Sequence, residues 1–264
     1  MLRNLRHLFR YRALIQSLVA RELKARYRGS VLGFCWSFVN PLLLLLVYTF
    51  VFTVVMPGGR GVGREPFALF MFCAFLPWTW FSSALLESST ALIAGANLIR
   101  KVLFPAEVLP IVTVLATFVH FCLGFPILAA FFVFYRVPIT ASDLIWLPVI
   151  VLVQLCLTLG LSLIVSILTI HFRDVRDLLG NLLTLWFFAT PIVYHVDDAP
   201  ASVRPWLALN PFTPLARAYQ ETLFVPGPYA GWPSLLVTAV LALGTLTLGY
   251  AMFDRLRDGL PEDV

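Results

Sequence analysis

Charge is scarce in this chain. Only 12% of its 264 residues are charged, whereas 60% are hydrophobic, and the mean hydropathy is +0.88. A soluble globular domain carries charge on about a quarter of its residues. The composition therefore excludes an ordinary soluble fold and predicts a protein that lies in a membrane.

The residues of a nucleotide-hydrolysing site are also missing. The chain contains two lysines, Lys24 and Lys101, and neither follows a glycine in a Gly-Lys-Ser or Gly-Lys-Thr sequence. A P-loop needs that lysine to reach the phosphates of ATP. The sequence thus predicts that this chain does not hydrolyse ATP, and that the energy for any active transport comes from another polypeptide.

Apart from His120, the middle of the apolar runs contains no Asp, Glu, Lys, Arg or His. His120 has either a functional role or a structural role in which its ring is hydrogen-bonded. Ion-coupled carriers and membrane enzymes need ionisable groups at depth. The four cysteines lie within the runs at spacings unlike those of metal ligands. We therefore expect free thiols, no metal site and no catalytic residues.

The chain is rich in apolar runs that are long enough to span a membrane. A helix that crosses a bilayer needs about 20 apolar residues. Six runs approach or exceed this length, and the fifth is the shortest. They are residues 32–56, 67–86, 108–134, 144–170, 178–195 and 233–253. The predicted fold is an all-α membrane protein of six transmembrane helices, with a single transmembrane domain over residues 1–264.

Basic residues predict the orientation of these spans. If the N-terminus is cytoplasmic, the inner segments hold 14 of the 19 Lys and Arg residues and the outer segments hold 5. Cytoplasmic loops carry an excess of these residues. Both termini are therefore predicted to be cytoplasmic. No nucleic-acid partner is expected, because the basic residues lack a compact fold to present them.

Three segments outside the spans have distinct patterns. The basic leader, residues 1–30, predicts an amphipathic helix in the cytoplasmic headgroup layer, in contact with membrane lipid. The leader either sets the topology alone or also contacts an anionic substrate or a partner subunit. Residues 88–107 predict a short cytoplasmic helix that stops near Pro105. Residues 196–232 hold six prolines among apolar pieces and predict short re-entrant helices, since irregular backbone at membrane depth must be buried in protein.

Several blocks of sequence resemble one transporter family. The first block is Arg21-Glu22-Leu23-Lys24-x-Arg26-Tyr27-Arg28-x-Ser30-x-Leu32-Gly33-x-x-Trp36, followed by Asn40-Pro41. The likeness continues at residues 97–110, 172–177 and 190–194, and at Asn210-Pro211 with Arg217. The blocks occur in family order and resemble the permease subunits of type-2 ABC exporters. The most similar branch exports O-antigen, capsular polysaccharide and teichoic acid.

The resemblance implies an assembly and a substrate. Such permeases form homodimers in the bacterial inner membrane and pair with two copies of a separate ATPase, which binds the ATP and Mg²⁺. This chain would then need no cofactor of its own. It would export a polyprenol-pyrophosphate-linked glycan, as in lipopolysaccharide biosynthesis. Residues 196–232 would close the channel on the outer side.

The resemblance also assigns roles to particular residues. Residues 88–107 would be the coupling helix that sits on the ATPase, and the turn at residues 171–177 is a second candidate. The residues expected to couple to the ATPase are Asn97, Arg100, Lys101, Phe104, Glu107, Arg173 and Asp174. The leader would be the interface helix at the cytoplasmic gate.

Two further groups of side chains are candidates for substrate contact. Arginine pairs bidentately with phosphate, so the leader could hold the substrate headgroup, with topology as the competing explanation. The residues of this gate group are Lys24, Arg26, Tyr27 and Arg28. Aromatic side chains in or beside spans suit a channel that stacks sugar rings, although an interfacial belt explains them equally. They are Trp36, Tyr48, Trp78, Trp80, Trp186 and Tyr194.

Two other functions remain open on the sequence. A type-2 permease for a drug or a small lipid would share the whole architecture. A membrane enzyme acting on polyprenyl phosphates is the alternative from another class, and the lack of buried carboxylates argues against it.

Overall fold

The computed structural model describes residues 11–29, 33–55, 67–101, 104–137, 141–172, 174–224 and 229–256. Every regular element in these ranges is helical, as predicted. In chain order the α-helices are α1 (Arg12–Tyr27), α2 (Trp36–Phe50), α3 (Phe67–Ala94), α4 (Ala96–Lys101), α5 (Val108–Tyr135), α6 (Ala141–His171), α7 (Val175–Phe188), α8 (Arg204–Leu209), α9 (Thr213–Phe224) and α10 (Trp232–Leu256).

Four of these helices are long and apolar enough to cross a membrane. They are α3, α5, α10 and the part of α6 from Ile145 to His171, and they confirm four of the predicted spans. Helix α3 continues past its predicted end at residue 86. The hydroxyls of Ser89 and Thr90 bond to the carbonyls of Leu86 and Glu87 at 2.6 and 3.3 Å, so these polar residues stay within the helix.

The fifth predicted span is shorter than the sequence suggested, and the first has nearly its predicted length but is α-helical only in its middle part. Helix α2 has 15 residues and α7 has 14, which correspond to roughly 21–23 Å at 1.5 Å per residue. A 3₁₀ turn at Gly33–Cys35 and a π-helical turn at Val51–Val55 lengthen the helical path of α2. Helix α7 ends three residues before Pro191, whose ring cannot continue it. A total of six spans stays a prediction.

Helix α3 is the centre of the bundle. It packs against α2, α5, α6, α7 and α9, and 78% of its most apolar window is buried inside the chain. Helix α10 lies at the edge of the bundle, since only 22% of its most apolar window is buried inside the chain and its main neighbour is α6. A Cβ on Gly160 of α6 would lie 2.5 Å from the Leu246 backbone nitrogen of α10. The close contact between α6 and α10, which we call the glycine seam, therefore requires glycine at this position.

The leader helix is attached to the start of α5. Leu14, Ile15 and Val19 pack around Leu18, which lies against Val108 and Val112 at the start of α5. Lys24 and Arg28 are exposed, whereas Arg26 is half-buried against α3. The leader is helical from residue 12 to residue 27, and its place in the headgroup layer stays a prediction. The rest of the predicted leader, residues 1–10, lies outside the described residues.

The two predicted irregular segments contain short helices. Between α3 and α5, the chain turns at Gly95 and forms the six-residue helix α4, a short helix before Pro105, whereas residues 88–94 continue α3. Residues 196–232 hold α8 and α9, which the sequence Asn210-Pro211 separates. Helix α9 is buried against α3 and α6, with Leu215, Ala218 and Tyr219 turned inward.

Candidate functional site

Two cavities adjoin the leader helix, and Arg26 lines both. The first, which we call the charged cavity, has a volume of about 550 Å³ and lies among α1, α3, α4, α5 and the start of α7. Its polar and charged lining residues are Arg21, Glu22, Arg26, Glu87, Thr90, Thr113 and Arg176. Three arginines against two glutamates leave it with net positive charge, which favours an anionic ligand.

The second cavity, which we call the hydroxyl-lined cavity, has a volume of about 360 Å³ and lies among α1, α2, α3 and α5. It contains no carboxylate, and Arg26 is the one charged side chain among the lining residues. Those residues are Arg26, Tyr27, Trp36, Ser37, Asn40, Pro41, Leu76, Thr79, Trp80, Ser83, Thr117, His120 and Phe121.

Arg26 lies at the junction of the two cavities because it is in the last turn of α1, where the leader meets α3. Its guanidinium makes a hydrogen-bonded ion pair with Glu87 of α3. The two side chains are 27% and 35% exposed, so solvent and ligands reach the pair. A guanidinium has five N–H donors, and one carboxylate leaves some of them available to a second anion.

Tyr27 fixes the end of the leader against two spanning helices. Its hydroxyl hydrogen-bonds to Ser37 Oγ of α2 and lies 2.9 Å from His120 Nε2 of α5. The two rings also contact each other, with centroids 5.6 Å apart. His120 is therefore hydrogen-bonded, in agreement with the structural alternative that the sequence left open.

The polar residues around the hydroxyl-lined cavity fall into two groups. Thr79 Oγ1 donates to Leu76 O at 2.7 Å, and Thr117 Oγ1 donates to Val114 O at 2.9 Å, so these hydroxyls are satisfied by their own helices. The side chains of Asn40 and Ser83 have no hydrogen-bond partner in the part of the chain that the structure describes. Both groups remain available to a ligand.

Comparison with known proteins places this arrangement in a family. The family model described as "ABC-2 type transporter" matches residues 13–224, which is most of the chain. The chain belongs to the ABC-2 type transporter family. The resemblance that the sequence blocks predicted is thereby confirmed, and the chain is a multi-pass membrane protein.

Several ABC-2 relatives are similar to this chain from end to end. It is 39% identical to the "O-antigen export system permease protein RfbA" of Myxococcus xanthus, and the alignment covers 100% of both chains. A protein of the same name from Klebsiella pneumoniae is 32% identical over 96% of this chain and 95% of its own. The "Polysialic acid transport protein KpsM" of Escherichia coli is 24% identical over 90% of this chain and 92% of its own.

The structure separates the predicted gate residues of this ABC-2 chain into two pairs. Arg26 and Tyr27 line cavities and are bound to α3, α2 and α5. Lys24 and Arg28 are exposed on the leader, and no hydrogen bond of their side chains to another described residue is present. Only the first pair is therefore part of a formed site.

The predicted ATPase-coupling residues do not form one cluster. Asn97 is exposed on α4, and the side chains of Arg100 and Lys101, near the end of the same helix, lie outside the described residues, as does Arg173. Phe104 is partly buried, and it packs both against the start of α5 and against the leader helix. Glu107 directly precedes α5, and Asp174 is exposed directly before α7. Their contact with an ATPase stays a prediction.

The predicted channel aromatics lie in three environments. Trp78 packs edge-on against Trp186 with ring centroids 6.0 Å apart, and Trp186 Nε1 donates to Asn210 Oδ1. Tyr48 and Tyr194 are half-buried, the first against Phe75 and Phe187. Trp36 and Trp80 line the hydroxyl-lined cavity, where Trp36 is 41% exposed and Trp80 is buried. The channel-lining role stays a prediction for all six residues.

Four residues that the structure brings to the site had no individual role in the sequence analysis. Glu87 and Arg176 line the charged cavity, and Asn40 and Ser83 line the hydroxyl-lined cavity. The signal for Asn40 was an amide in an apolar run, and Glu87 follows the predicted second span directly. No group of His, Cys, Asp and Glu among the described residues is arranged to hold a metal ion.

Proposed function

We propose that this chain is the channel-forming transmembrane subunit of an ATP-driven exporter that moves a lipid-linked polysaccharide across the bacterial inner membrane. The observation that carries this proposal is the similarity over the full length to a protein named for O-antigen export. A second group of relatives is named for transport of polysialic acid, which is also a glycan. Both names favour a glycan over a drug or a small lipid.

In the proposed assembly, two copies of the chain pair with two copies of an ATPase that holds ATP and Mg²⁺. Helices α2 and α7 offer large apolar surfaces that the described part of the chain leaves uncovered. On α7 these are Leu178, Leu182 and Leu185, which are 66%, 54% and 70% exposed. Lipid covers part of this surface, and a second copy of the chain covers the rest. Both termini are cytoplasmic in this arrangement, as the distribution of Lys and Arg indicates.

The coupling segment is proposed to act through α3. Helix α4 follows α3 after the single residue Gly95, and α3 contributes Glu87 and Ser83 to the two cavities. A movement imposed on α4 by the ATPase is therefore transmitted directly to the walls of both cavities. The variant Arg100→Glu/Lys101→Glu is expected to insert normally and to abolish export. Normal export by this variant would refute the coupling role.

The charged cavity is proposed to receive the pyrophosphate of the substrate. Arg21, Arg26 and Arg176 surround it, and guanidinium groups bind phosphate oxygens bidentately. Lys24 and Arg28, exposed on the same helix, attract the anionic headgroup to this region.

The decisive experiment is reconstitution. The chain and its co-purified ATPase are placed in proteoliposomes with a polyprenyl-pyrophosphate-linked oligosaccharide, and protection of the glycan from an external glycosidase is measured. ATP-dependent translocation is the expected result. Turnover of the lipid by the chain alone, without ATP, would replace the proposal with a membrane enzyme. Transport of a drug or a small lipid but not of the glycan would replace it with the other permease.

A further inference from the structure

The hydroxyl-lined cavity has a chemistry that the charged cavity beside it lacks. Arg26 supplies its one charge, from the rim, and its other polar groups are neutral hydroxyl, amide and imidazole groups. A ligand that fits must therefore be mostly neutral and must bring its own hydrogen-bonding groups. A cationic ligand would meet Arg26 and no carboxylate.

Three of those neutral groups have a polar atom without a hydrogen-bond partner in the described structure. His120 Nδ1 is buried, the side chain of Ser83 is half-buried, and that of Asn40 is exposed. Covering an unpaired polar group with an apolar ligand costs about 1–3 kcal/mol. An acyl chain in this cavity would impose that cost at Asn40 and at Ser83, so the cavity favours a ligand with hydroxyl groups.

The size of the cavity limits the ligand to a small one. Its volume of about 360 Å³ lies at the lower end of the 300–1,000 Å³ that is typical of small-molecule sites. A single pyranose ring suits this space. Trp36, 41% exposed at the edge of the cavity, offers an indole surface for the C–H face of such a ring.

Arg26 connects this space with an anion site. The same guanidinium lines both cavities, so a phosphate bound to it lies beside the hydroxyl-lined cavity. We propose that the hydroxyl-lined cavity binds the sugar ring of a sugar phosphate ester, with Asn40 and Ser83 on the ring hydroxyls and Arg26 on the phosphate. The first sugar of a lipid-linked glycan is then recognised inside one protomer. The identity of the lipid anchor rests on the proposed function, whereas the fit of the ring rests on the cavity alone.

The test compares three probes on the complex of this chain with its ATPase in neutral phosphatidylcholine nanodiscs. They are a polyprenyl pyrophosphate carrying one hexose, the same lipid without the sugar, and hexose 1-phosphate as a lipid-free competitor. Equilibrium binding is measured for the wild type and for the double variant Asn40→Leu/Ser83→Ala. Ser82→Ala is the matched control, since this neighbouring hydroxyl donates to Thr79 O at 3.3 Å and is absent from the cavity lining.

The wild type is expected to bind the glycosylated lipid about tenfold more tightly than the bare lipid, which corresponds to one or two hydrogen bonds. The double variant is expected to lose this ratio while it binds the bare lipid as the wild type does, which also shows that it is folded. Ser82→Ala is expected to keep the ratio.

The outcomes separate this inference from the proposed function. Equal wild-type binding of both lipids, or a ratio that the double variant retains, overturns the sugar site and leaves the exporter intact. If neither lipid binds and no glycan is exported, the proposed function fails. Binding of hexose 1-phosphate then tests the sugar site by itself. If this binding is lost in the double variant, it supports the sugar site, and if the double variant binds as the wild type does, it overturns the sugar site.

Discussion

The two faces of helix α3 differ in what lies beside them, a fully hydrogen-bonded amide on one face and a polar cavity on the other. Trp78 and Phe81 lie on one face, beside an amide network centred on Asn210. Thr79 and Ser83 lie on the other face, beside the hydroxyl-lined cavity. Residues three or four apart share a face of a helix, so this division follows from the sequence of α3 itself.

On the first face, Asn210 joins two segments of chain through four hydrogen bonds. Its Oδ1 accepts from Trp186 Nε1 at 2.6 Å and from Phe212 N at 2.9 Å. Its Nδ2 donates to Ala189 O at 3.1 Å and to Thr190 Oγ1 at 2.9 Å. All the bonding groups of the amide are used, and Trp78 and Phe81 pack against the neighbouring rings of Trp186 and Phe212. Fully paired networks of this kind rigidify a structure.

On the second face, the pairing is incomplete. Asn40 and Ser83 have no partner within the described residues, and a cavity replaces packed side chains. His120 Nδ1, which lines the same cavity, is buried without a partner in the described structure. Natural proteins pair most buried polar groups, so this atom supports the proposal that a ligand completes the structure on this face of α3.

The largest effect is expected from Asn210→Leu. This change removes the partners of Trp186 Nε1, Phe212 N and Ala189 O within this network, whereas Thr190 Oγ1 keeps its bond to Trp186 O. We expect a loss of about 3 kcal/mol in the free energy of unfolding. Thermal unfolding in detergent measures it. Asn97→Ala, which removes an exposed amide on α4, serves as the control and should be neutral. Equal melting temperatures for both variants would contradict the contrast between the two faces.

A smaller loss of stability is expected where Arg26 meets Glu87. Because the pair is partly exposed, Arg26→Met should lower stability by only about 1 kcal/mol. Export should fall at least tenfold, since the phosphate loses its guanidinium.

The exchanged pair, Arg26→Glu/Glu87→Arg, separates these two effects. It should regain the stability of the wild type but not its export, as measured by unfolding and by the proteoliposome assay. Recovery of export by the exchanged pair would show that Arg26 acts only as a structural partner of Glu87.

The smallest effect on stability is expected from Gly124→Ala on α5. The new methyl group would lie 2.2 Å from Leu76 Cδ1, a flexible side-chain end that lines the hydroxyl-lined cavity. Leu76 can move into the open space, so stability should change by less than about 1 kcal/mol. Binding of the glycosylated lipid should weaken, as equilibrium binding will show. Gly244→Ala, which meets nothing within 4 Å, is the control and should change neither quantity.

The long helices could be predicted from the sequence because their apolar runs exceed the thickness of a bilayer. Their ends could not, since Ser89 and Thr90 look like loop residues until their hydroxyls are seen to bond within α3. The same limit applies to α7, whose apolar pattern continues to Tyr194 although the helix stops at Phe188.

The candidate site was predictable only in part. Arg26 and Tyr27 lie in a block that resembles the family, and the sequence alone marked them. Glu87 and Ser83 became part of the site through the rotation of α3 against the leader, which no local pattern encodes. The unpaired state of Asn40 also depends on which side chains of other helices surround it, so it required the tertiary structure.

The glycine seam between α6 and α10 has a consequence for biosynthesis. Gly249 faces Gly160 so closely that a Cβ on Gly249 would lie 2.9 Å from the Gly160 carbonyl oxygen. Because α10 is synthesised after α6, the seam on α6 stays uncovered while the intervening residues leave the ribosome. We therefore expect the nascent chain to depend on an insertase or on lipid to shield this surface, and a chain truncated before α10 to be degraded by membrane proteases.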